Sequence, residues 1–155
     1  MPDARLAKTS DLASLLALFR ASEVSHHAEP AARAERIWSD ILARDGIAVF
    51  VADADSGIAS SCMLVMVPNL LRGGRQHGFL ENVVTHPQFR GRGYGQAVVH
   101  AALALAWASD CHHVLLQSGR NDPRVHRFYA QCGFEAGLRV GYAVHRPAAP
   151  SGERA

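Results

Sequence analysis

The sequence predicts an α/β fold, a central sheet of six or seven strands with helices interleaved along the chain. Three observations carry this. Short runs rich in β-formers alternate with stretches of helical periodicity. A glycine-rich turn, Arg90-Gly91-Arg92-Gly93-Tyr94-Gly95, joins a strand-like run to a long apolar helix-like run. The 155 residues are 48% hydrophobic, enough for one domain to bury a full core without staples.

In order, residues 4–8 form a short first strand. Ser10 or Asp11 then caps a helix whose Leu12, Leu15, Leu16 and Phe19 recur at i, i+3, i+4 and i+7. Residues 22–30 are polar and irregular. Their His26, His27 and Glu29 lack a third spaced metal ligand and read as a solvated loop. Ile37, Trp38, Ile41 and Leu42 mark a second helix, with Gly46 placed to cap its end. Residues 47–52 and 58–67 read as strands joined by turn chemistry at 53–57, hence a hairpin. Residues 70–78, with Arg72, Gly73, Gly74 and Arg75, read as a mobile loop. Residues 79–85 form the next strand, stopped by Pro87. Strict alternation there points 79, 81, 83 and 85 one way and 80, 82 and 84 the other.

Residues 94–109 contain no Asp, Glu, Lys or Arg, so the helix after the turn needs cover on more than one side. A second subunit would supply it, and a homodimer is expected. Residues 114–117 are a short buried strand. Asp122 then offers an N-cap, and Pro123 the favoured first helical position. Val125, Phe128, Tyr129 and Cys132 make a helical stripe closed by Gly133. Residues 138–145 alternate loosely and are expected to add one or two strands. The domain is expected to span residues 1–146, with 147–155 as a flexible tail.

Composition narrows the function. A formal charge of +2 argues against nucleic-acid binding, which calls for a clustered basic face. No uninterrupted apolar run is long enough to cross a membrane, and Asp3, Arg5 and Lys8 interrupt the start as a signal segment. Cys62, Cys111 and Cys132 are odd in number and far apart. They read as core thiols in a reducing compartment, not as a disulfide frame or zinc site. Cytoplasm is the expected location, and no metal is expected.

The glycine turn carries the chemistry. Three alternate glycines keep Cβ atoms clear, so the backbone can bend tightly and aim several N–H groups at one spot. The first N–H groups of the following helix lack internal partners, and the helix dipole puts partial positive charge there. That is an anion site shaped for phosphates, with Arg90 and Arg92 beside it. No Gly-Lys-Ser/Thr follows, so it is not the loop of nucleotide hydrolases. Its third glycine falls one residue early for the dinucleotide fingerprint.

With these residues the chain resembles the GNAT superfamily of N-acetyltransferases over nearly its whole length. The family's pyrophosphate loop, Arg/Gln-x-x-Gly-x-Gly/Ala, is matched by Arg90, Gly93 and Gly95, and Pro87 stands two residues past the strand end. A second block, an aromatic-Tyr pair followed by Gly-Phe, is matched by Phe128, Tyr129, Gly133 and Phe134. Glu81-Asn82-Val83-Val84, with His126 before Phe128-Tyr129, is similar to the smaller members, among them aminosugar-phosphate acetyltransferases. One departure is that Asp122 holds the position of the family's frequent asparagine, seven residues before the tyrosine. Asn121, its neighbour, is then the candidate for that cofactor contact.

The resemblance implies a mixed, mostly antiparallel sheet with helices on both faces. It implies acetyl-CoA as acyl donor and a primary amine as acceptor. The backbone of Arg90, Gly91, Arg92, Gly93, Tyr94, Gly95 and Gln96 would hold the pyrophosphate. The strand edge at Val83, Val84 and Thr85 would pair with the pantetheine amides, and Phe128 would lie on the cofactor side. The Val83 N–H is the candidate oxyanion donor. Tyr129 is the candidate acid for the leaving thiolate. Glu81 is either a base acting through water or an anion that binds the ammonium. His126 reads as surface.

The leading expectation is therefore an enzyme acetylating a small-molecule amine by direct attack in a ternary complex. A protein lysine or N-terminus is the alternative acceptor, and a non-catalytic acyl-CoA sensor is the alternative class. Arg72 and Arg75 lean towards an acceptor bearing phosphate or carboxylate.

Overall fold

The computed structural model describes residues 1–148. They fall into two compact units, Met1–Gly119 and the residues from Arg120 onward.

The first unit is a five-stranded sheet in the order β1 (Arg5–Leu6), β2 (Ile47–Ala54), β3 (Gly57–Val67), β4 (Gln76–Thr85) and β5 (Cys111–Leu115). β1 to β4 pair antiparallel, and β4 pairs parallel with β5. A parallel neighbour needs a crossover, and α3 (Tyr94–Ala108) supplies it. The other helices are α1 (Leu12–Ser22) and α2 (Ala31–Ala43).

Register assigns the faces. Val49 stands opposite Met63 and Val51 opposite Ser61, and this face packs against Leu15 and Leu18 of α1 and Trp38 of α2. Phe50 stands opposite Cys62 and Ala48 opposite Leu64, on the other face. There the Cys62 thiol donates to the Val98 carbonyl of α3 at 3.3 Å. Val98, Val99, Ala102 and Ala106 of α3 are buried, as a helix without charges requires. Among the described residues, no helix is long and apolar enough to cross a membrane.

Local expectations meet three corrections in this unit. Asp11 precedes α1 but does not cap it. Its carboxylate takes the Lys8 N–H at 2.7 Å and both terminal nitrogens of Arg5, which also grips Asp53. Gly46 lies beyond the α2 end, where Arg44 is extended. Its φ of +80° serves the turn into β2, where a Cβ would meet the Met66 carbonyl oxygen at 2.5 Å. The 70–78 loop is more ordered than its composition suggests. It holds a 3-10 turn at Arg72–Gly74, and β4 begins within it at Gln76.

The second unit is built on α4 (Pro123–Gln131). Asp122 caps it by accepting the Arg124 N–H at 2.8 Å, and Pro123 takes the first turn. Gly133 at φ +92° closes it. Residues 138–145 form no strand, so the sheet has five strands and not six or seven. Loose alternation marks faces, but a strand exists only with a ladder partner. This unit has no other strand among the described residues, and Leu138, Val140, Tyr142 and Val144 are exposed. Of the expected tail, residues 149–155 lie outside the described residues.

Candidate active site

The site is built where β4 leaves its neighbours. On the β3 side, Glu81 stands opposite Met63 and Val84 opposite Ser61. Two residues of β4, Asn82 and Val83, therefore share the space opposite Cys62, a β-bulge. Asn82 has φ +51°, a left-handed conformation that asparagine tolerates better than most residues. The bulge breaks the expected alternation. Met63 and Ser61 lie on one face, so Glu81 and Val84 share that face although they are three residues apart. The sharing of a face by Glu81 and Val83, read from strict alternation, does not hold.

On its other side β4 pairs with β5 from Gln76 to Phe79 only, and the last matched pair is Phe79 with Leu115. Gly78 permits the close approach just before the strands part, since a Cβ there would meet Val114 Cγ2 at 2.9 Å. Past Phe79, the first unit offers β4 no partner on that side. On the β5 side the 80–85 stretch thus has no ladder within the first unit, and on the β3 side the bulge takes Asn82 and Val83 out of register while Leu80, Glu81, Val84 and Thr85 stay paired.

The strand runs directly into the glycine turn. Pro87–Phe89 is a 3-10 turn in which His86 Nδ1 accepts the Gln88 N–H at 3.2 Å. Arg90 Nε donates to the Thr85 carbonyl at 3.4 Å, tying the turn to the strand end. Gly91 and Gly93 have φ of +73° and +86°. At Gly91 a Cβ would meet nothing, so its requirement is conformational. At Gly93, the N-cap of α3, a Cβ would also press on Pro2 Cδ at 3.2 Å. Arg92 lies over the Phe89 ring at 5.7 Å, and Phe89 meets Tyr94 edge-on. Gly95 and Gln96 follow in the first turn of α3.

Glu81 is exposed. Val83 and Thr85 are half-buried and Val84 is buried. Next to the bulge lies a cavity of about 320 Å³ between α1, α2 and the sheet, bordered by Asn82 and Val84.

Tyr129, Phe128 and Asn121 lie in the second unit. Tyr129 is half-buried and meets Phe128 and Phe134 edge-on, with ring centroids at 5.0 and 6.0 Å. The Phe134 N–H donates to the Tyr129 carbonyl at 3.0 Å, so the Gly133 turn itself brings that ring back. Asn121 and His126 are exposed, and the Asp122 carboxylate is engaged by Arg124. Arg75 is paired with Asp110 at 2.8 Å, whereas Arg72 makes no ion pair among the described residues.

Sequence reasoning missed the bulge and the half-buried Ser60–Thr85 contact behind it. Asn82 inside a β-rich run was the available signal, because asparagine is scarce in strands and frequent at positive φ. The sequence also gives no sign of the contact between His77 and His113, whose Nδ1 and Nε2 lie 2.9 Å apart across the β4–β5 pair.

The three thiols are poor nucleophiles. Burial pushes Cys62 up to about 12 and Cys132 up to about 11, and raises Cys111 as well.

A bulged strand that sheds its parallel neighbour and ends in a glycine turn at a helix N-terminus is the arrangement expected of the acetyltransferases this sequence resembles. The sequence profile of the acetyltransferase (GNAT) family matches residues 12–134, and the chain belongs to that family. It is 37% identical to a putative acetyltransferase from Agrobacterium tumefaciens str. C58, whose structure superposes with a TM-score of 0.86 over 93% of this chain and 99% of that one. It is 33% identical over 100 residues to a glucosamine 6-phosphate N-acetyltransferase of Trypanosoma brucei brucei, covering 63% of this chain and 66% of the relative. It is 35% identical over 74 residues to an aminoglycoside N(6')-acetyltransferase type 1 of Stenotrophomonas maltophilia, covering 48% of each. The matches thus span about half to two thirds of these curated relatives' lengths.

Proposed function

We propose that the protein transfers the acetyl group of acetyl-CoA to a primary amine of a small molecule, by direct attack in a ternary complex. The observation that carries the reading is the course of β4, which leaves β5 after Phe79, bulges at Asn82–Val83 and runs into the Arg90–Gln96 turn. The edge of β4 that β5 no longer pairs suits an extended pantetheine arm at Val83–Thr85, and the helix N-terminus suits the pyrophosphate. The high pKa values of Cys62 and Cys132 favour direct attack over a cysteine-bound acyl intermediate. Relatives named for glucosamine 6-phosphate and aminoglycosides support a small-molecule acceptor over a protein amine.

In this reading the Val83 N–H stabilises the thioester oxygen as charge grows on it. Tyr129 donates to the departing thiolate. Glu81, exposed on the face it shares with Val84, receives the ammonium or takes its proton through water. Phe128 and Asn121 complete the cofactor side. One catalytic domain spans residues 1–146, in the cytoplasm, as a homodimer. Trp107 on the uncharged α3, 54% exposed, is a residue a partner would cover.

Coenzyme A release measured against an amine panel tests the activity, and calorimetry with acetyl-CoA tests the site. Turnover on small amines is the expected result. Tight binding without turnover on any amine would mark a sensor, and turnover only on peptides a protein acetyltransferase.

A further inference from the structure

The cavity beside the bulge has a chemistry that the relatives' names do not anticipate. It lies wholly within the first unit. None of the residues lining it is Asp, Glu, Lys or Arg. Its walls include Leu16, Phe19, Ile41 and Met63, and the Trp38 indole that also lines it spends its N–H on the Thr9 carbonyl at 3.1 Å. A phosphate or a polycationic sugar buried here would lose water without gaining a countercharge, which is costly. Sugar hydroxyls would find Ser25, His26, His27, Ser61 and Asn82, but a sugar would set most of its polar surface against apolar side chains. At about 320 Å³ the space is at the small end for ligand pockets, enough for the body of a small molecule.

Resting on the acyl-transfer reading above, we propose that this cavity receives the acceptor, and that the acceptor is an amine with a hydrocarbon or aromatic body. Two observations assign it to the amine and not to a long acyl chain. The cavity is bordered by Asn82 and Val84, the residues on either side of Val83. The loop over it also places His27 in the lining, with Nδ1 at 3.2 Å from the Ala28 carbonyl oxygen. A carbonyl only accepts, so Nδ1 carries the hydrogen and donates it. The His27 ring, with Ser25, His26, Ser61 and Asn82, forms the polar part of an otherwise apolar wall, which suits an amine at the end of an apolar body. A hydrocarbon acyl chain has no use for it.

The test compares phenethylamine and hexylamine with glucosamine 6-phosphate and kanamycin, each with acetyl-CoA, in wild type and in two variants that narrow the cavity. Ala28→Phe and Val24→Trp lie on the irregular loop, outside the helices, and melting curves check their folding. The apolar amines are expected to show kcat/KM at least roughly tenfold above the polar ones, and each variant should raise the phenethylamine KM roughly tenfold while the acetyl-CoA KM is unchanged. Calorimetry of phenethylamine on the CoA-loaded protein is read separately. Binding that Ala28→Phe weakens, without turnover, would uphold the cavity and overturn the acyl-transfer reading. Turnover favouring glucosamine 6-phosphate or kanamycin would uphold that reading and overturn the cavity assignment. Faster turnover of hexanoyl-CoA than acetyl-CoA, lost in Ala28→Phe, would give the cavity to the donor and overturn the proposal, as would folded variants that leave the amine KM unmoved.

Discussion

Ser60 Oγ donates to the Val84 carbonyl at 2.9 Å, inside the sheet and immediately after the bulge. A hydroxyl has one proton, so Ser60 must accept from Thr85 Oγ1, also at 2.9 Å. Ser60 is fully buried. This two-step relay pins the end of β4 to β3 at the point where the strand resumes its ladder, and so fixes how far the bulge can open.

Ser60→Ala should therefore act on both stability and function. It leaves the Thr85 hydroxyl without its acceptor and the Val84 carbonyl without its side-chain donor, a loss of about 1–3 kcal/mol. Urea denaturation should show this as a lower midpoint with an unchanged slope. Acetyl-CoA affinity should weaken in the folded variant, because Val83–Thr85 is the proposed pantetheine edge. Unchanged affinity would detach that edge from the cofactor.

Arg5 and Asp11 supply a pH prediction. The Arg5 hydrogen bonds hold the Asp11 carboxyl below the usual carboxylate range; burial opposes them and the Lys8 N–H assists. A folded pKa below the unfolded value, ordinarily about 3.9, means that the native state gains by keeping the carboxylate ionised. That stability is fully present above the unfolded pKa and is lost as pH falls through the depressed folded one. Asp11→Asn should flatten the acid limb of a stability-against-pH curve and lower the stability at neutral pH by about 1–3 kcal/mol. An acid limb identical to wild type would remove Asp11 from the linkage.

What the sequence could and could not reveal follows from the range of each cause. The Asp122 cap and Pro123 start of α4 are set by neighbours two residues away and were legible. So was the Gly91–Gly93 turn, because positive φ selects glycine locally. The Asn82 bulge was not, since it exists only in the register against Cys62, twenty residues back along the chain. Ser10 or Asp11 is the cap that the local context allows, but Arg5 and Lys8 claim the Asp11 carboxylate. The missing last strand is the same lesson at larger scale. Leu138 to His145 has a strand's pattern, but pairing depends on what lies beside it.

Arg92 lies in the glycine turn proposed to hold the pyrophosphate, with its guanidinium over Phe89 at 5.7 Å. Moving from the ring to a phosphate exchanges a cation–π contact for a charge-assisted hydrogen bond. Arg92→Ala should weaken acetyl-CoA binding by about 1.5–3 kcal/mol, roughly 10- to 100-fold. The loss should shrink at high salt. This substitution is a cleaner test than changing Gly93, whose φ and Pro2 contact would strain any side chain. Calorimetry at two salt concentrations checks it, and salt-independent affinity equal to wild type would place the pyrophosphate elsewhere.

The thiols make a negative prediction with a positive readout. Cys62, pushed up to about 12, and Cys132, up to about 11, remain protonated at neutral pH. Native protein treated with iodoacetamide should keep its turnover. Intact-mass measurement during turnover should show no acetyl adduct. An adduct of one acetyl group that disappears on adding amine would replace direct attack with a covalent route.

Tyr129 is the sharpest test of the proposed chemistry. Its ring is held edge-on between Phe128 and Phe134, so the packing survives loss of the hydroxyl. A thiolate leaving without a hydrogen bond is a poor step. A phenol ordinarily has a pKa of about 10 and a thiol about 8.5, so full proton transfer is uphill by roughly 2 kcal/mol. A hydrogen bond that strengthens as the carbon–sulfur bond breaks, with transfer late, is therefore the mechanism to expect. Tyr129→Phe should leave the melting temperature and acetyl-CoA affinity close to wild type and lower kcat roughly 100-fold or more. Because the interaction is made in the transition state, kcat/KM should fall in parallel and KM should not. A slow variant whose defect lies wholly in KM would make Tyr129 a binding residue. Wild-type turnover across the pH range would leave it as a packed aromatic, with water protonating the thiolate.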